Sequence, residues 1–213
     1  VSANDDSNIS NSVSTNGVSL ETHDVNMFYK DGTSFDVKLV DNKKAISGGK
    51  INITVNGVTY SRTTNSSGLA KLNLNLRPGD YKIKTDSIFN NQKLSVINNI
   101  KIKEMNTSLI ADKVVDLGYK EGKYNITLIG GNNKYLSGKT VTFSINGVDY
   151  TRTTDENGGA GLNINLNPGS YQISVKFSEN FYKDAYVSSV INVGIYNTRF
   201  ISNPAKFNKT GVE

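Results

Sequence analysis

Apolar and polar residues alternate along much of the chain with the two-residue period of a β-strand. Val25, Met27 and Tyr29 alternate with polar neighbours, and the stretch from Phe35 to Leu39 repeats the pattern. Because successive side chains of a strand point to opposite faces, each such stretch predicts a strand with one buried face. No stretch has a long apolar period of 3.6 residues. The pattern therefore predicts an all-β protein.

One long stretch of the chain occurs twice. Residues 56–83 read NGVTYSRTTNSSGLAKLNLNLRPGDYKI, and residues 146–173 read NGVDYTRTTDENGGAGLNINLNPGSYQI. The second copy begins 90 residues after the first, and the two align without a gap. A period of this length suits one small domain and is too long for a solenoid unit. We therefore expect two domains of one fold in tandem.

Turn motifs stand at matching places in both copies. The Asn-Gly pairs at 56–57 and 146–147 predict hairpins with type I′ turns, because both residues tolerate the positive φ that this turn needs. The runs 65–68 and 155–158 are polar turns that end on glycine. We therefore expect each repeat to contain about seven short strands joined by tight turns.

Each copy also contains Pro-Gly followed two residues later by tyrosine. The residues are Pro78, Gly79, Tyr81, Pro168, Gly169 and Tyr171. We expect a type II turn at each Pro-Gly pair. A tyrosine at this place is typical of the tyrosine corner of Greek-key sandwiches, where the hydroxyl bonds to upstream backbone. We therefore assign these six residues a structural role. The predicted fold class is all-β, with two tandem immunoglobulin-like (Greek-key) β-sandwich domains.

The limits of the copies predict the domain organisation. We expect a flexible polar leader over 1–22, one repeat over 23–104, a second over 105–198, and the start of a truncated third repeat over 199–213. The last assignment rests on residues 207–211, which lie 89 residues after a similar run at 118–122. An unrelated polar tail is the alternative.

The composition leaves few residues for catalysis. The chain has no cysteine, which excludes disulfides, thiolate metal sites and cysteine nucleophiles. The one histidine, His23, has no counterpart in the second copy, and we interpret it as a solvated linker residue. Asp155 and Glu156 stand on a turn where the first copy has Asn65 and Ser66. We therefore expect no catalytic residue, no metal site and no cofactor.

Charge and hydropathy limit the partners. The net charge is +5, but the lysines are scattered instead of clustered with aromatic residues, so we expect no nucleic acid. No run approaches 18 apolar residues, so we expect no membrane insertion in this segment. Residues 1–3, Val-Ser-Ala, are similar to the end of a secretory cleavage site, which would fit an exported protein, but a match of three residues also arises easily by chance.

Two covalent modifications stay open on the sequence. Lysine–asparagine isopeptide bonds occur in some sandwich adhesins, and Asn98 and Asn192 lie in the last predicted strand of each copy. Glycosylation sequons of the type Asn-x-Ser/Thr begin at Asn8, Asn52, Asn65, Asn106, Asn125 and Asn208.

The motif GVxYxRTTxxxGxAxLNxNLxPGxY, at 57–81 and 147–171, resembles the immunoglobulin-like repeats of adhesin-like surface proteins from methanogenic archaea. The resemblance implies a non-catalytic cell-surface protein, exported and associated with the cell wall, whose repeats form a stalk or an adhesive region. It implies as partner a surface polymer, a glycan or a protein of another cell, and a monomer within a longer array. The second copy departs from the first at 159–161, which reads Gly-Ala-Gly in place of Leu-Ala-Lys.

The alternative function is a module that binds carbohydrate or a host surface. Tyr135, Tyr182 and Tyr186 lie in predicted loops of the second copy. Exposed tyrosines supply an apolar ring and a hydrogen-bonding hydroxyl, which suits such ligands. These three tyrosines are the candidate binding residues.

Overall fold

The structure is a computed structural model, and it describes residues 10–195. These residues form strands, turns and loops without a helix, so the all-β prediction is confirmed. The strands are β1 (Ser10–Thr15), β2 (Val18–His23), β3 (Val25–Phe28), β4 (Ser34–Asp41), β5 (Lys44–Ala45), β6 (Lys50–Val55), β7 (Val58–Thr63), β8 (Leu69–Asn73), β9 (Gly79–Phe89), β10 (Gln92–Lys103), β11 (Thr107–Ile110), β12 (Val114–Leu117), β13 (Lys123–Gly130), β14 (Thr140–Ile145), β15 (Val148–Thr153), β16 (Gly159–Asn163), β17 (Gly169–Phe177) and β18 (Ala185–Val193). Nothing in this part of the chain is a helix long and apolar enough to cross a membrane.

The chain divides into two compact units. The first contains the described residues up to Ser108 together with Ile129–Tyr135 and Phe177–Ala185. The second contains Leu109–Leu128, Leu136–Lys176 and the described residues from Tyr186 onward. Because each unit is built from more than one segment, the repeat limits 23–104 and 105–198 stay a prediction.

The first unit contains two sheets of five strands. One has the order β1-β2-β4-β5, with β8 also paired to β4, and the other has the order β3-β10-β9-β6-β7. Consecutive strands β2 and β3 lie in different sheets, and β3 pairs in parallel with the last strand, β10. The chain therefore changes sheets between His23 and Val25. It crosses between the sheets again from β5 to β6, from β7 to β8 and from β8 to β9, and these connections give the Greek-key topology of an immunoglobulin-like sandwich.

The second copy repeats this topology with fewer strands. Its sheets have the orders β11-β13-β16 and β12-β18-β17-β14-β15, and β12 again pairs in parallel with the last strand, β18. Two strands of the first copy, β1 and β5, have no counterpart among the named strands here. The described residues therefore contain ten strands in the first copy and eight in the second, against about seven expected.

The expectation of a flexible leader is wrong for the part of residues 1–22 that the structure describes. Strands β1 and β2 form an antiparallel hairpin, with Thr15 paired to Val18. Val18 and Leu20 are buried in the core of the first unit, and β2 also pairs with β4. Burial of these two side chains compensates for the polar composition of β1, which forms the sheet edge. Residues 1–9 and the predicted third repeat at 199–213 lie outside the described residues.

Alternation places the apolar side chains of each copy between its sheets. Phe35, Val37 and Leu39 of β4 are fully buried, and Tyr124, Ile126 and Leu128 of β13 repeat them. The ring of Tyr124 packs edge-on against that of Phe143, with centroids 6.0 Å apart. Each copy thus has its own layer of buried residues on its central strands.

The turns confirm one prediction and correct another. Both residues of each Asn-Gly pair have positive φ, 50° and 76° at Asn56 and Gly57, as a type I′ hairpin requires. The predicted type II turns at Pro-Gly are wrong, because Gly79 and Gly169 have φ of 153° and 155° instead of about 80°. The glycine leads directly into β9 or β17 instead of closing a turn.

Candidate functional site

The repeated tyrosines bond to the backbone just upstream of them. The hydroxyl of Tyr81 donates to the carbonyl of Arg77 at 2.8 Å, and that of Tyr171 donates to the carbonyl of Asn167 at 2.9 Å. In both cases the bond spans four residues across the Pro-Gly bend. Each tyrosine therefore fixes the segment before the Pro-Gly bend to the start of the following strand. The hydroxyl of each tyrosine has a structural role in this bond.

The turns with acidic or amide residues are held by the side chain of their first residue. Asn65 accepts hydrogen bonds from the backbone amides of Ser67 and Leu69. Asp155 accepts the same pair of bonds, from the amides of Asn157 and Gly159. Asn and Asp are equivalent in this role because each offers a carbonyl-type oxygen to the turn. The carboxylate of Asp155 thus has a structural explanation.

A buried threonine closes the loop that precedes the Asn-Gly hairpin in each copy. The hydroxyl of Thr64 donates to the carbonyl of Ile46 at 2.6 Å and accepts from the amide of Gly49 at 2.8 Å. Thr154 makes the equivalent bonds to Leu136 and Lys139. Sequence reasoning missed these residues, although Arg-Thr-Thr is identical in the two copies.

Asp24 holds the crossover between the sheets of the first unit. It stands between β2 and β3, and its carboxylate accepts hydrogen bonds from the side chain of Asn98 at 3.0 Å and the backbone amide of Asn99 at 2.9 Å. The side chain of Asn99 lies 3.4 Å from the other carboxylate oxygen, and its carbonyl contacts the ammonium of Lys82. One carboxylate therefore ties the crossover between β2 and β3 to the last strand of the unit, β10.

These contacts change the pKa of Asp24. Partial burial alone would raise it, but the hydrogen bonds from Asn99 and Asn98 and the charge of Lys82 outweigh the burial, so the pKa is lowered. A carboxyl group whose pKa is lower in the folded protein stabilises the fold above its unfolded pKa. That stabilisation is lost as the pH falls through the folded pKa.

We expect Asp24→Asn to destabilise the first unit by about 1–2 kcal/mol at neutral pH, because the amide cannot accept all the bonds that the carboxylate accepts. Below about pH 4 the difference from the wild type should shrink, because the wild-type carboxylate becomes protonated there. Urea unfolding between about pH 2 and pH 7 measures this dependence. Asp80→Asn is the control, since Asp80 is exposed and carries the same charge. An equal loss in both variants, or a constant difference at all pH values, would contradict the role of Asp24.

The second copy holds its crossover with a different residue. Ile100 and Ile191 are the buried residues opposite Val25 and Val115, so Ser189 and not Asn192 occupies the position of Asn98. Ser189 donates to the carbonyl of Asp112 at 2.6 Å and bonds to the hydroxyl of Tyr124 at 2.8 Å. Burial, together with the charge of Asp112, raises the pKa of Tyr124 despite this hydrogen bond. The two crossovers are therefore held by side chains of different chemistry.

The two asparagines considered for isopeptide bonds both face aspartate. The side-chain amide of Asn98 donates to Asp24, and that of Asn192 donates to Asp116 at 2.8 Å. Neither asparagine has a lysine as its hydrogen-bond partner. The carboxyl group of Asp24, with its lowered pKa, is also ionised at neutral pH, so it holds no proton that it could donate when a lysine displaces the amide nitrogen of the asparagine. The geometry therefore does not favour isopeptide bonds at these two positions.

The three candidate tyrosines differ in how much of each residue is exposed to solvent. Tyr135 and Tyr186 are exposed, at 58% and 66%, and they belong to different compact units. The expectation that Tyr186 lies in a loop is wrong, because it is the second residue of strand β18. Tyr182 is only 7% exposed, so the expectation that it is an exposed binding residue is wrong. Its ring packs edge-on against those of Tyr29, at 5.6 Å, and Phe177, at 5.8 Å.

His23 is a strand residue and not a linker residue. It ends β2, is half-buried, and lies with its ring centroid 6.2 Å from that of Phe35. Over residues 10–195, no three side chains of His, Cys, Asp or Glu lie close enough to share a metal ion.

The sheets and crossovers define a protein of tandem immunoglobulin-like sandwiches. No protein-family model matches the chain, and no curated protein matches it. Among solved structures it is similar to the fibronectin(III)-like modules of Clostridium thermocellum CbhA, at 16% identity and a TM-score of 0.33 over 81% of this chain and 90% of that one. It is also similar to a chimeric titin Z1Z2, at 10% identity and 0.42 over 81% and 92%. A tetra-tandem repeat in the extending region of a large adhesion protein matches at 14% identity and 0.37, over 78% and 46%.

Proposed function

We propose that this chain is a non-catalytic segment of an adhesin-like cell-surface protein, similar to those of methanogenic archaea, in which tandem immunoglobulin-like repeats form the stalk or adhesive region. The supporting observation is which residues the two copies share. Tyr81 and Tyr171 make the same bond, and so do Thr64 and Thr154. The shared residues maintain the sandwich, and a spacer needs no more than that from each repeat.

The residues that differ between the copies also support a non-catalytic role. His23 has no counterpart in the second copy, and Asp155 replaces Asn65 without changing the turn it holds. An enzyme would need a nucleophile or a general acid–base pair placed together. We propose instead an extracellular, wall-associated location, with a surface polymer, a glycan or another cell's surface protein as partner, and a monomeric state within a longer array.

Antibody labelling of the source cells tests this function. Antibodies raised against the recombinant chain should label intact cells, because the proposal places the repeats outside the cell. Antibodies against a cytoplasmic protein are the control and should label only permeabilised cells. Labelling by the repeat antibodies only after permeabilisation would contradict the surface role.

A second candidate function is glycan binding by the exposed tyrosines. The exposure of Tyr135 and Tyr186 favours it. A glycan array probed with the wild type, Tyr135→Ala and Tyr186→Ala tests it, with Tyr150→Ala as an exposed control. Binding that Tyr135→Ala or Tyr186→Ala removes would support this function, and binding that all three variants retain would count against it.

A further inference from the structure

The second unit has a polar groove along the open side of its sandwich. The groove has a volume of about 560 Å³ and lies between edge strands β15 and β16, next to β13. Its polar side chains include Lys123, Asn125, Arg152, Asp155 and Asn163. All of them belong to the second unit, so the groove lies within one unit. The corresponding edge of the first unit also has a groove, of about 470 Å³, which Arg62 and Lys71 line.

In the first unit an arginine bridges the corresponding edge strands, β7 and β8. Arg62 stands opposite buried Ile51 and therefore points toward the other sheet. Its Nε donates to the carbonyl of Lys71 on β8 at 3.0 Å, and its Nη1 donates to the carbonyl of Ser61. Both of these donor groups are thus satisfied by the protein itself, and one of the bonds joins the two edge strands.

Arg152 is in the same place in the second unit but does not make the bridging bond. It stands opposite buried Val141, and its Nη1 donates to the carbonyl of Thr151 at 2.7 Å. No described residue accepts a hydrogen bond from its Nε or Nη2. The guanidinium therefore keeps free donors, and these lie in the wall of the groove.

Gly161 of β16 has no side chain, so the side chain of Lys123, a second cation, lies over this strand. Gly161 occupies the position of Lys71 in the first copy, opposite Asn125. A Cβ on Gly161 would collide with the aliphatic chain of Lys123 and would lie only 2.5 Å from the Oδ1 of Asn125. The ammonium of Lys123 makes no ion pair or hydrogen bond with any described residue. The substitution of Lys by Gly thus brings the side chain of Lys123 to the groove.

The chemistry of the lining indicates the class of ligand. Two cations with free donors suit a carboxylate, which guanidinium groups bind in a bidentate way. The amides of Asn125 and Asn163 can donate to and accept from hydroxyl groups, and Asp155 can accept from them. The lining contains no aromatic side chain on which a base could stack. An acidic, hydroxyl-rich ligand fits these groups.

We propose that the second repeat binds an acidic polysaccharide through this groove, with a uronate carboxylate on Arg152 and Lys123 and sugar hydroxyls on Asn125, Asn163 and Asp155. The corresponding groove of the first repeat differs in two ways: the Nε of Arg62 is bonded to the strand opposite, and Lys71 stands at the position of Gly161. We therefore expect the first repeat not to bind this ligand. The proposal deepens the adhesive part of the proposed function and rests on it for its biological meaning. The binding itself is a property of the isolated chain.

An NMR titration of the recombinant chain with tetragalacturonate tests the proposal. We expect saturable shifts of the amides of Lys123, Asn125, Arg152 and Asn163, and about a tenfold weaker affinity in Arg152→Gln or Lys123→Ala, since each removes one charge-assisted contact. Lys113→Ala is the matched control, because Lys113 is exposed and does not line the groove. Gly161→Lys, which restores the residue of the first copy, should abolish binding, and the spectrum of each variant reports whether it is folded.

Two further ligands separate specific binding from charge attraction. A neutral oligosaccharide of equal length should bind at least tenfold more weakly than tetragalacturonate, and a sulfated one should not exceed it. The proposal is overturned by shifts outside the groove, by an equal loss of affinity in Lys113→Ala, by equal binding of the neutral sugar, by tighter binding of the sulfated one, or by no binding of the uronate. If this titration fails, the proposal of a ligand in the groove is rejected. The proposed cell-surface location is unaffected, because antibody labelling tests it separately.

Discussion

Phe35→Ala is expected to lower the free energy of unfolding of the first unit by about 3–5 kcal/mol, the usual cost of removing a fully buried phenylalanine ring. Phe35 is completely buried in the core of this unit, among residues from both sheets. Its removal takes away apolar contacts and leaves a cavity between the sheets. Denaturant-dependent hydrogen exchange measures the change strand by strand.

The second unit supplies an internal reference for this experiment. Amides of β14 and β18 should keep their opening free energies in Phe35→Ala, because the buried residues Phe143 and Ile191 form the core of that copy. Lys38→Ala, on the same strand as Phe35 but exposed, should change little. A loss of similar size in both units would show one shared core and would contradict the two-sandwich account.

Thr64→Val is expected to destabilise the first unit by about 2–4 kcal/mol, although valine has almost the same shape as threonine. The substitution leaves the carbonyl of Ile46 and the amide of Gly49 without the hydroxyl that serves both. Each buried polar group left without a partner costs about 1–3 kcal/mol. Urea unfolding gives the total loss, and exchange of the Gly49 amide shows whether the loss is local.

Two neighbouring substitutions make the result interpretable. Thr64→Ser retains the hydroxyl and should recover most of the stability, whereas Thr63→Val alters an exposed residue and should be nearly neutral. Thr154→Val should reproduce the loss in the second unit, because Thr154 makes the equivalent two bonds. If Thr64→Ser were as damaging as Thr64→Val, the hydroxyl would not be what stabilises the loop.

The sequence predicts those parts of the fold that depend on neighbouring residues. The alternation of Phe35, Val37 and Leu39 identifies a buried strand face because the two-residue period is set by backbone geometry alone. The Asn-Gly hairpins are predictable for a similar reason, since the positive φ of Asn56 is a property of the dipeptide.

The hairpin of β1 and β2 has the same local signals in the sequence. Asn16 and Gly17 form another Asn-Gly pair with positive φ, and Val18 and Leu20 alternate after it. The polar composition of residues 1–22 predicts a flexible leader, whereas this local pattern predicts a hairpin. Composition is a weaker guide than alternation for a strand at a sheet edge, which buries few of its side chains.

Contacts between distant residues could not be predicted. Asp24 meets Asn98 from 74 residues away, and nothing local to either residue indicates the pairing. Tyr182 is buried because its ring meets that of Tyr29, so its exposure depends on tertiary packing. The position of Lys123 in the groove depends on the replacement of Lys71 by Gly161, which the sequence shows as a difference but does not explain.

The most direct test of the two-sandwich account is a set of NMR distances across the parallel strand pairs. The account predicts nuclear Overhauser contacts in parallel register between Val25 and Ile100, and again between Val115 and Ile191. Both pairs join the strand after the crossover to the last strand of the same copy. Antiparallel contacts at either place, or contacts of Val25 with the last strand of the second copy, would contradict it.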